Sequence, residues 1–219
     1  ASSASPAEGE GAVRGGPSIF AIALPTACCL LLCNMCRICM STAVLQASAE
    51  FGWSDTMSGL IQSAFLWGYM ATQLLGGILA DAFGGKVVMA FSVAWFSVAT
   101  ALTPAAAALG QAPLLLMRAL VGIGEGVALP SMNNLIGKNV RTDRRATALG
   151  MSFGGFHSGN IVGLLLSPFL ISNYGWRSLF YLFGILGVPV LLLWQGVVPD
   201  AQTLAAQRGE AAAGASGAK

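Results

Sequence analysis

Three charged residues, Arg37, Arg118 and Glu125, lie inside long apolar stretches of this sequence. An ionised side chain at the centre of a bilayer costs at least ~2.5–3.5 kcal/mol, so such residues need a partner or a function. Guanidinium groups present donors that suit carboxylate and phosphate, so the two arginines would attract small anions. The alternative that the residues leave open is a buried structural network, with the guanidinium groups bonded to carbonyls and neighbouring side chains.

Polar residues recur on single faces of three predicted helices. Seven residues turn an α-helix by about 700°, so Arg118 and Glu125 point the same way, about 10 Å apart, which argues against a direct ion pair between them. The three stripes together predict a shared aqueous cavity. They are Asn34, Arg37 and Ser41 in the first helix, Gln62, Tyr69 and Gln73 in the second, and Arg118 and Glu125 in the fourth.

The elements that carry these residues are predicted to cross a membrane. Apolar residues make up 55% of the chain and charged residues only 9%, where soluble domains carry about 25% charged residues. Runs of about 20 apolar residues mark six spans between a disordered leader at 1–17 and a disordered tail at 199–219. The spans are Ser18–Gln46, Thr56–Ala80, Lys86–Leu109, Ala112–Gly137, Arg145–Ile171 and Ser178–Val198.

The basic residues outside the spans predict an orientation. Eight of them fall on the side that holds both termini, and Arg177 alone falls on the other. This bias places both termini on the cytoplasmic or equivalent side. The net charge of +2 and the scatter of the basic residues argue against a nucleic-acid partner. The eight residues are Arg14, Lys86, Lys138, Arg141, Arg144, Arg145, Arg208 and Lys219.

The sequence predicts neither a metal site nor an enzyme. The five cysteines all lie in the first span, and no second Cys/His cluster would complete a tetrahedral site. No Ser/His/Asp set or phosphate-cradling loop is visible, so no catalytic residue and no cofactor are expected. The cysteines are interpreted as small packing residues. They are Cys28, Cys29, Cys33, Cys36 and Cys39.

Two motifs resemble those of the major facilitator superfamily. Residues 77–86 are similar to its G-x-x-x-D-x-x-G-R/K-K/R signature between spans 2 and 3, and residues 118–124 are similar to its R-x-x-x-G-x-G pattern in span 4. The resemblance implies an all-α membrane fold in which these six helices form the N-terminal half, as two inverted three-helix repeats. It also implies a gating role for the first motif, carried by Gly77, Asp81, Gly84 and Lys86.

A closer resemblance covers roughly residues 28–195. Within the superfamily, the chain is similar to the anion:cation symporter family, and most of all to plant and algal plastid anion (phosphate) transporters. The segments that carry the resemblance are 31–37, 59–73, 122–134 and 167–170.

This resemblance implies a secondary transporter, or a fragment of one, that moves inorganic phosphate or organic anions with Na⁺ or H⁺ by alternating access. It would lie in the plastid envelope or the thylakoid membrane. Its expected partners are the lipid bilayer, a small anion, the coupling ion, and a second six-helix half or another copy of the chain. The implied substrate-binding residues are Arg37, Arg118, Gln62, Tyr69 and Asn34, and the implied coupling residue is Glu125.

The chain departs from the family pattern at two positions. The usual first-helix pattern is N-x-D-R-x-N, whereas here Cys36 and Cys39 replace the Asp and the second Asn. Both changes remove polar groups next to Arg37 in the sequence. The alternative hypothesis is therefore a degenerate, non-transporting membrane protein or assembly partner of the same fold.

Overall fold

The computed structural model describes residues 19–199, which form eight α-helices and a 3₁₀ turn at Thr142–Arg144. Within this range no β-strand occurs, and the all-α fold class is confirmed. The predicted leader, and the predicted tail from residue 200 onwards, lie outside the described residues. The helices are α1 Ile19–Phe51, α2 Asp55–Phe83, α3 Gly85–Leu109, α4 Gln111–Gly126, α5 Ala128–Asn139, α6 Arg145–Tyr174, α7 Arg177–Ile185 and α8 Gly187–Val197.

These helices make six rods, because α4 and α5 together form the fourth and α7 and α8 the sixth. Over residues 19–199, five of the six rods are long and apolar enough to cross a membrane. The exception is α2, which at 29 residues has the length to span a bilayer. Its polar stripe and its glycines lower its hydropathy.

Two of the six rods are interrupted, a feature that the predicted spans did not include. The fourth rod breaks at Val127 and the sixth at Leu186. Proline follows each break within the first turn of the next helix, at Pro130 and Pro189. Proline has no N–H to donate to the carbonyl four residues earlier, which favours a new helix start at these points. The first helix was also predicted too short, because α1 continues past Gln46 to Phe51.

Glycines set the contact between α1 and α6. A Cβ on Gly155 would lie 2.7 Å from Ala27 Cα, and one on Gly159 would lie 2.9 Å from Leu31 Cα. Both separations are too short for a real side chain, so only glycine lets the two backbones approach this closely. A step of four residues on α6 matches a step of four on α1, so the two helices run in the same direction.

The contact between α2 and α4 follows the same rule. A Cβ on Gly122 would lie 2.8 Å from Tyr69 N, and one on Gly76 would lie 3.0 Å from Val127 Cα. These helices also run in the same direction. The α1–α6 pair joins the first and fifth rods, and the α4–α2 pair joins the fourth and second rods. Each pair thus packs the first rod of one three-helix unit against the second rod of the other unit, as two inverted three-helix repeats require.

Candidate anion site

An ion pair between α1 and α4 lies at the centre of the candidate site. Arg37 Nε donates to Glu125 Oε2 at 3.2 Å. The Arg37 side chain is 30% exposed, whereas that of Glu125 is fully buried. The pair therefore joins a carboxylate inside the bundle to a guanidinium that reaches its open side.

Aromatic rings from α2 and α6 enclose the Arg37 guanidinium. Its Cζ lies 4.6 Å from the ring centre of Tyr69, 5.1 Å from that of Phe65 and 5.5 Å from that of Phe156. Cation–π contacts of this kind stabilise a partly desolvated cation by about 0.5–2 kcal/mol each. The three rings leave the guanidinium few directions in which to move.

Arg118 lies behind Phe65 and is only 2% exposed. Its Cζ is 5.4 Å from the centre of the Phe65 ring, so this one ring contacts both guanidinium groups of the site. The described ion pairs join Glu125 to Arg37 and not to Arg118. Arg118 therefore places a second positive charge next to the pair without neutralising Glu125 directly.

Buried polar atoms at this site lack hydrogen-bond partners among the described residues. A buried polar atom without a partner is costly, and it marks a place where a ligand, an ion or water can bind. Three of the four atoms are guanidinium donors, so the site is prepared for an acceptor. The atoms are Arg37 Nη2, Arg118 Nε, Arg118 Nη1 and Glu125 Oε1.

The other two predicted substrate-binding residues are placed differently. Asn34 is buried, and its Nδ2 donates to the carbonyl of Phe156 at 2.7 Å, so it holds α6 against α1 next to Arg37. Gln62 is exposed on α2, and its described hydrogen bond goes to Ser58 O at 3.5 Å. The Arg37 side chain thus contacts both Tyr69 and Glu125, and Asn34 bonds Phe156, whose ring also covers the Arg37 guanidinium. The described hydrogen bond of Gln62 stays within its own helix.

Sequence reasoning missed three neighbours of Arg37: Phe65, Phe156 and Cys33. The Cys33 thiol lies beside the Glu125 carboxyl group. Helical spacing could have identified two of them, because Cys33 precedes Arg37 by four residues and Phe65 precedes Tyr69 by four. Phe156 comes from a distant part of the chain and left no such signal.

The two unusual cysteines do not face Arg37 in the structure. Cys36 Sγ lies 3.9 Å from the carbonyl oxygen of Phe183 in α7, and Cys39 Sγ lies 3.4 Å from that of Met35 in its own helix. Both residues are fully buried. Both thiols nevertheless lie within electrostatic range of Arg118 and Glu125, so an Asp and an Asn at these positions would change the surroundings of those two charged groups. Among residues 19–199, no group of three His, Cys, Asp or Glu side chains could hold a metal ion.

The predicted gating motif connects α2 to α5. Asp81 Oδ1 accepts hydrogen bonds from Asn134 Nδ2 at 2.6 Å and from Lys138 Nζ at 2.8 Å. Gly84 has a φ of +87°, a conformation that favours glycine, and it joins α2 to α3 in a single residue. Gly77 lies half-buried on α2, one turn before Asp81.

A hydrogen bond from α8 also fixes the turn after Gly84. The carbonyl of Lys86 accepts a hydrogen bond from Trp194 Nε1 at 3.0 Å, and Trp194 is fully buried in α8. The motif therefore contacts both α5 and α8.

The sequence model of the Major Facilitator Superfamily matches residues 26–217. The chain belongs to the Major Facilitator Superfamily. Its backbone is similar to the inward-open xylose transporter XylE from E. coli, with a TM-score of 0.75 at 18% identity over 85% of this chain and 50% of that one. This likeness supports the superfamily fold of six rods in two inverted repeats.

Plant plastid proteins are much closer in sequence. The chain is 56% identical over 165 residues to "Probable anion transporter 4, chloroplastic" of Oryza sativa subsp. japonica, covering 75% of this chain and 28% of that protein. It is 51% identical over 178 residues to "Sodium-dependent phosphate transport protein 1, chloroplastic" of Arabidopsis thaliana, covering 81% and 35%.

A third relative, "Ascorbate transporter, chloroplastic" of Arabidopsis thaliana, is 53% identical over 164 residues, covering 75% of this chain and 30% of that protein. The predicted resemblance to plastid anion transporters is confirmed. The chain spans about a third of the length of these relatives.

Proposed function

We propose that this chain supplies the N-terminal six-helix half of a plastid secondary transporter that moves inorganic phosphate or an organic anion together with Na⁺ or H⁺. The observation that carries the proposal is the Arg37–Glu125 pair. It joins a buried carboxylate to a partly exposed guanidinium, and both groups keep a polar atom without a described partner.

Charge balance explains why an anion and a cation would travel together. Arg37, Arg118 and Glu125 carry one excess positive charge when all three are ionised, which balances a monoanion. An anion that takes the Arg37 donors displaces Glu125, and an unpaired buried carboxylate is costly. A proton or Na⁺ on Glu125 removes that cost and leaves two positive charges, which balance a dianion such as hydrogen phosphate.

Alternating access requires a second wall facing the site. Arg37 is open on one side of this bundle, and an arginine in contact with lipid would cost several kcal/mol. We propose that a second six-helix half, or another copy of the chain, covers it. The similarity to chloroplast proteins supports a plastid location, and the distribution of basic residues supports termini on the stromal side.

The non-transporting alternative rests on Cys36 and Cys39. Both thiols lie against backbone carbonyls, those of Phe183 and Met35, and both are also near Arg118 and Glu125, so this alternative remains the second hypothesis that the uptake assay tests.

A chimera tests the proposal. This chain would be followed by the remaining sequence of the Arabidopsis phosphate transporter, reconstituted in liposomes and assayed for uptake of radiolabelled phosphate and ascorbate under Na⁺ and pH gradients. We expect uptake of at least one anion that depends on a cation gradient.

Arg37→Ala should reduce that uptake to background. Arg37→Lys should restore only part of it, because an ammonium lacks the guanidinium fork. The matched control is Arg141→Ala, since Arg141 is exposed and pairs with Asp143 two residues away. Uptake by Arg37→Ala equal to that of the control would refute the assignment.

A further inference from the structure

The break in the fourth rod comes directly after the turn that carries Glu125. The backbone N–H of Val127 donates to the carbonyl of Glu125, two residues back. In a continuous helix it would donate to Ile123, four residues back. Pro130 has no N–H for the carbonyl of Gly126. The last turn of α4 therefore loses regular helical hydrogen bonds where the site needs a fixed carboxylate.

Side chains from two neighbouring helices bind carbonyls of this turn. Ser92 Oγ of α3 donates to Gly124 O at 2.7 Å, and Thr72 Oγ1 of α2 donates to Ile123 O at 3.0 Å. One turn earlier, Trp95 Nε1 donates to Leu120 O at 2.9 Å. The three carbonyls lie at i, i+3 and i+4, along one face of α4. The carbonyls of the two residues that precede Glu125 are thus held by hydroxyl groups from outside their own helix.

We propose that Ser92 and Thr72 are positioning residues that hold the last turn of α4, and with it Glu125, against Arg37. The inference rests on the proposed coupling role of Glu125 and adds the residues that set its position.

The Thr72 hydroxyl has one hydrogen and two equally distant acceptors. Its Oγ1 lies 3.0 Å from Ile123 O and 3.0 Å from Gly68 O in its own helix. The hydrogen bond to α4 can therefore be exchanged for one within α2 while the hydroxyl keeps a partner. The contact between Thr72 and α4 can therefore break without leaving the hydroxyl unpaired. For Ser92 the described acceptor is Gly124 O in α4.

A movement of this turn reaches the gating motif through α5. The helix runs for 12 residues from Ala128, or about 18 Å, to the turn that holds Lys138. Lys138 and Asn134 bind Asp81. A cation on Glu125 that frees the turn would thus change the angle at which α5 meets the end of α2.

The test uses the chimera described above with Thr72→Val and Ser92→Ala, which remove the hydroxyls. The Na⁺ or H⁺ concentration for half-maximal uptake should shift by about fivefold in each variant, the factor that corresponds to one net hydrogen bond. The KM for the anion should stay close to that of the parent, and the melting temperature should fall by no more than about 2–4 °C, the change expected from one lost hydrogen bond in a chain of this length.

Matched controls come from buried hydroxyls that bind only their own helix. Thr103 Oγ1 donates to Ala99 O and Ser152 Oγ to Ala148 O, both at 2.9 Å. Thr103→Val and Ser152→Ala should leave the cation dependence unchanged. A shift in the test variants no larger than in these controls would overturn the inference, as would a rise in anion KM without any change in cation dependence.

A second measurement does not depend on transport. Hydrogen–deuterium exchange of the peptide covering residues 120–130, with this chain in lipid nanodiscs, should be faster in the two test variants than in the two controls. Equal exchange contradicts the positioning role. If exchange is faster in the test variants but the parent chimera takes up no anion, the positioning role of Ser92 and Thr72 stands and the proposed transport function is refuted instead.

Discussion

Glu50 at the end of α1 accepts hydrogen bonds from both Nη atoms of Arg177, the first residue of α7. Trp176 Nε1 donates to the same carboxylate at 2.8 Å. A second contact between the two three-helix units joins Asp81 near the end of α2 to Lys138 near the end of α5. Exchanging the two units places Lys138 where Glu50 is, near the end of the first rod of its unit, and Asp81 near where Arg177 is, at the junction of the second and third rods. The two contacts are charge-reversed counterparts, one near each end of the bundle.

Removing the Glu50–Arg177 contact should destabilise the bundle only modestly. Arg177→Gln and Glu50→Gln should each lower the melting temperature in detergent, and the double variant should lose less than the sum of the two, because each single change already breaks the contact. Both side chains are about 40% exposed, so the effect should shrink in 0.5 M salt. Strictly additive losses would argue that the two residues act independently.

Changing Asp81 should affect the rate of transport more than binding. Asp81→Asn keeps an oxygen for Asn134 but removes the charge that faces Lys138, so we expect a lower maximal rate in the chimera with an unchanged KM for the anion. Asp143→Asn is the control, because Asp143 pairs with its near neighbour Arg141 at 3.2 Å. A proportional rise in KM would mean that Asp81 acts on binding and not on gating.

Alanine at Gly122 should disrupt the α2–α4 contact. Its Cβ would lie 2.8 Å from Tyr69 N, and overpacking of this kind costs about 1–3 kcal/mol. Gly154→Ala is the control, since nothing lies within 4 Å of a Cβ built there. Fluorescence-detected size-exclusion chromatography after heating should show a lower melting temperature for Gly122→Ala alone. Similar values for both variants would refute the close approach.

The buried ion pair should show a characteristic double-mutant cycle. Arg37→Gln leaves Glu125 buried without its partner and should cost about 3–5 kcal/mol, and Glu125→Gln leaves the guanidinium unpaired. The double variant should lose less free energy of unfolding than the sum of the two single losses, because each single change already breaks the pair. Thermal or denaturant unfolding in detergent measures this, and two losses that simply add in the double variant would contradict the pairing.

Hydropathy and the polar stripes predicted the six rods and most residues of the candidate site. The spacing within one helix cannot show which helices meet, so the Arg37–Glu125 pair and the contact with Phe156 required the fold. The breaks in the fourth and sixth rods could not be predicted from the sequence either, because proline alone does not mark a helix break. Pro25, Pro104 and Pro168 lie inside continuous helices, whereas Pro130 and Pro189 each follow a break.

The weak hydropathy of α2 has a consequence for how the chain enters the membrane. Its partner α4 follows α2 and α3 in the sequence, so a chain that enters from its N-terminus presents α2 to the lipid before the helix that covers its glycines. We expect α2 to be stably inserted only once α4 has arrived. Membrane insertion of this chain is then a joint event of two rods, and a chain truncated before residue 111 should leave α2 accessible to water-soluble reagents.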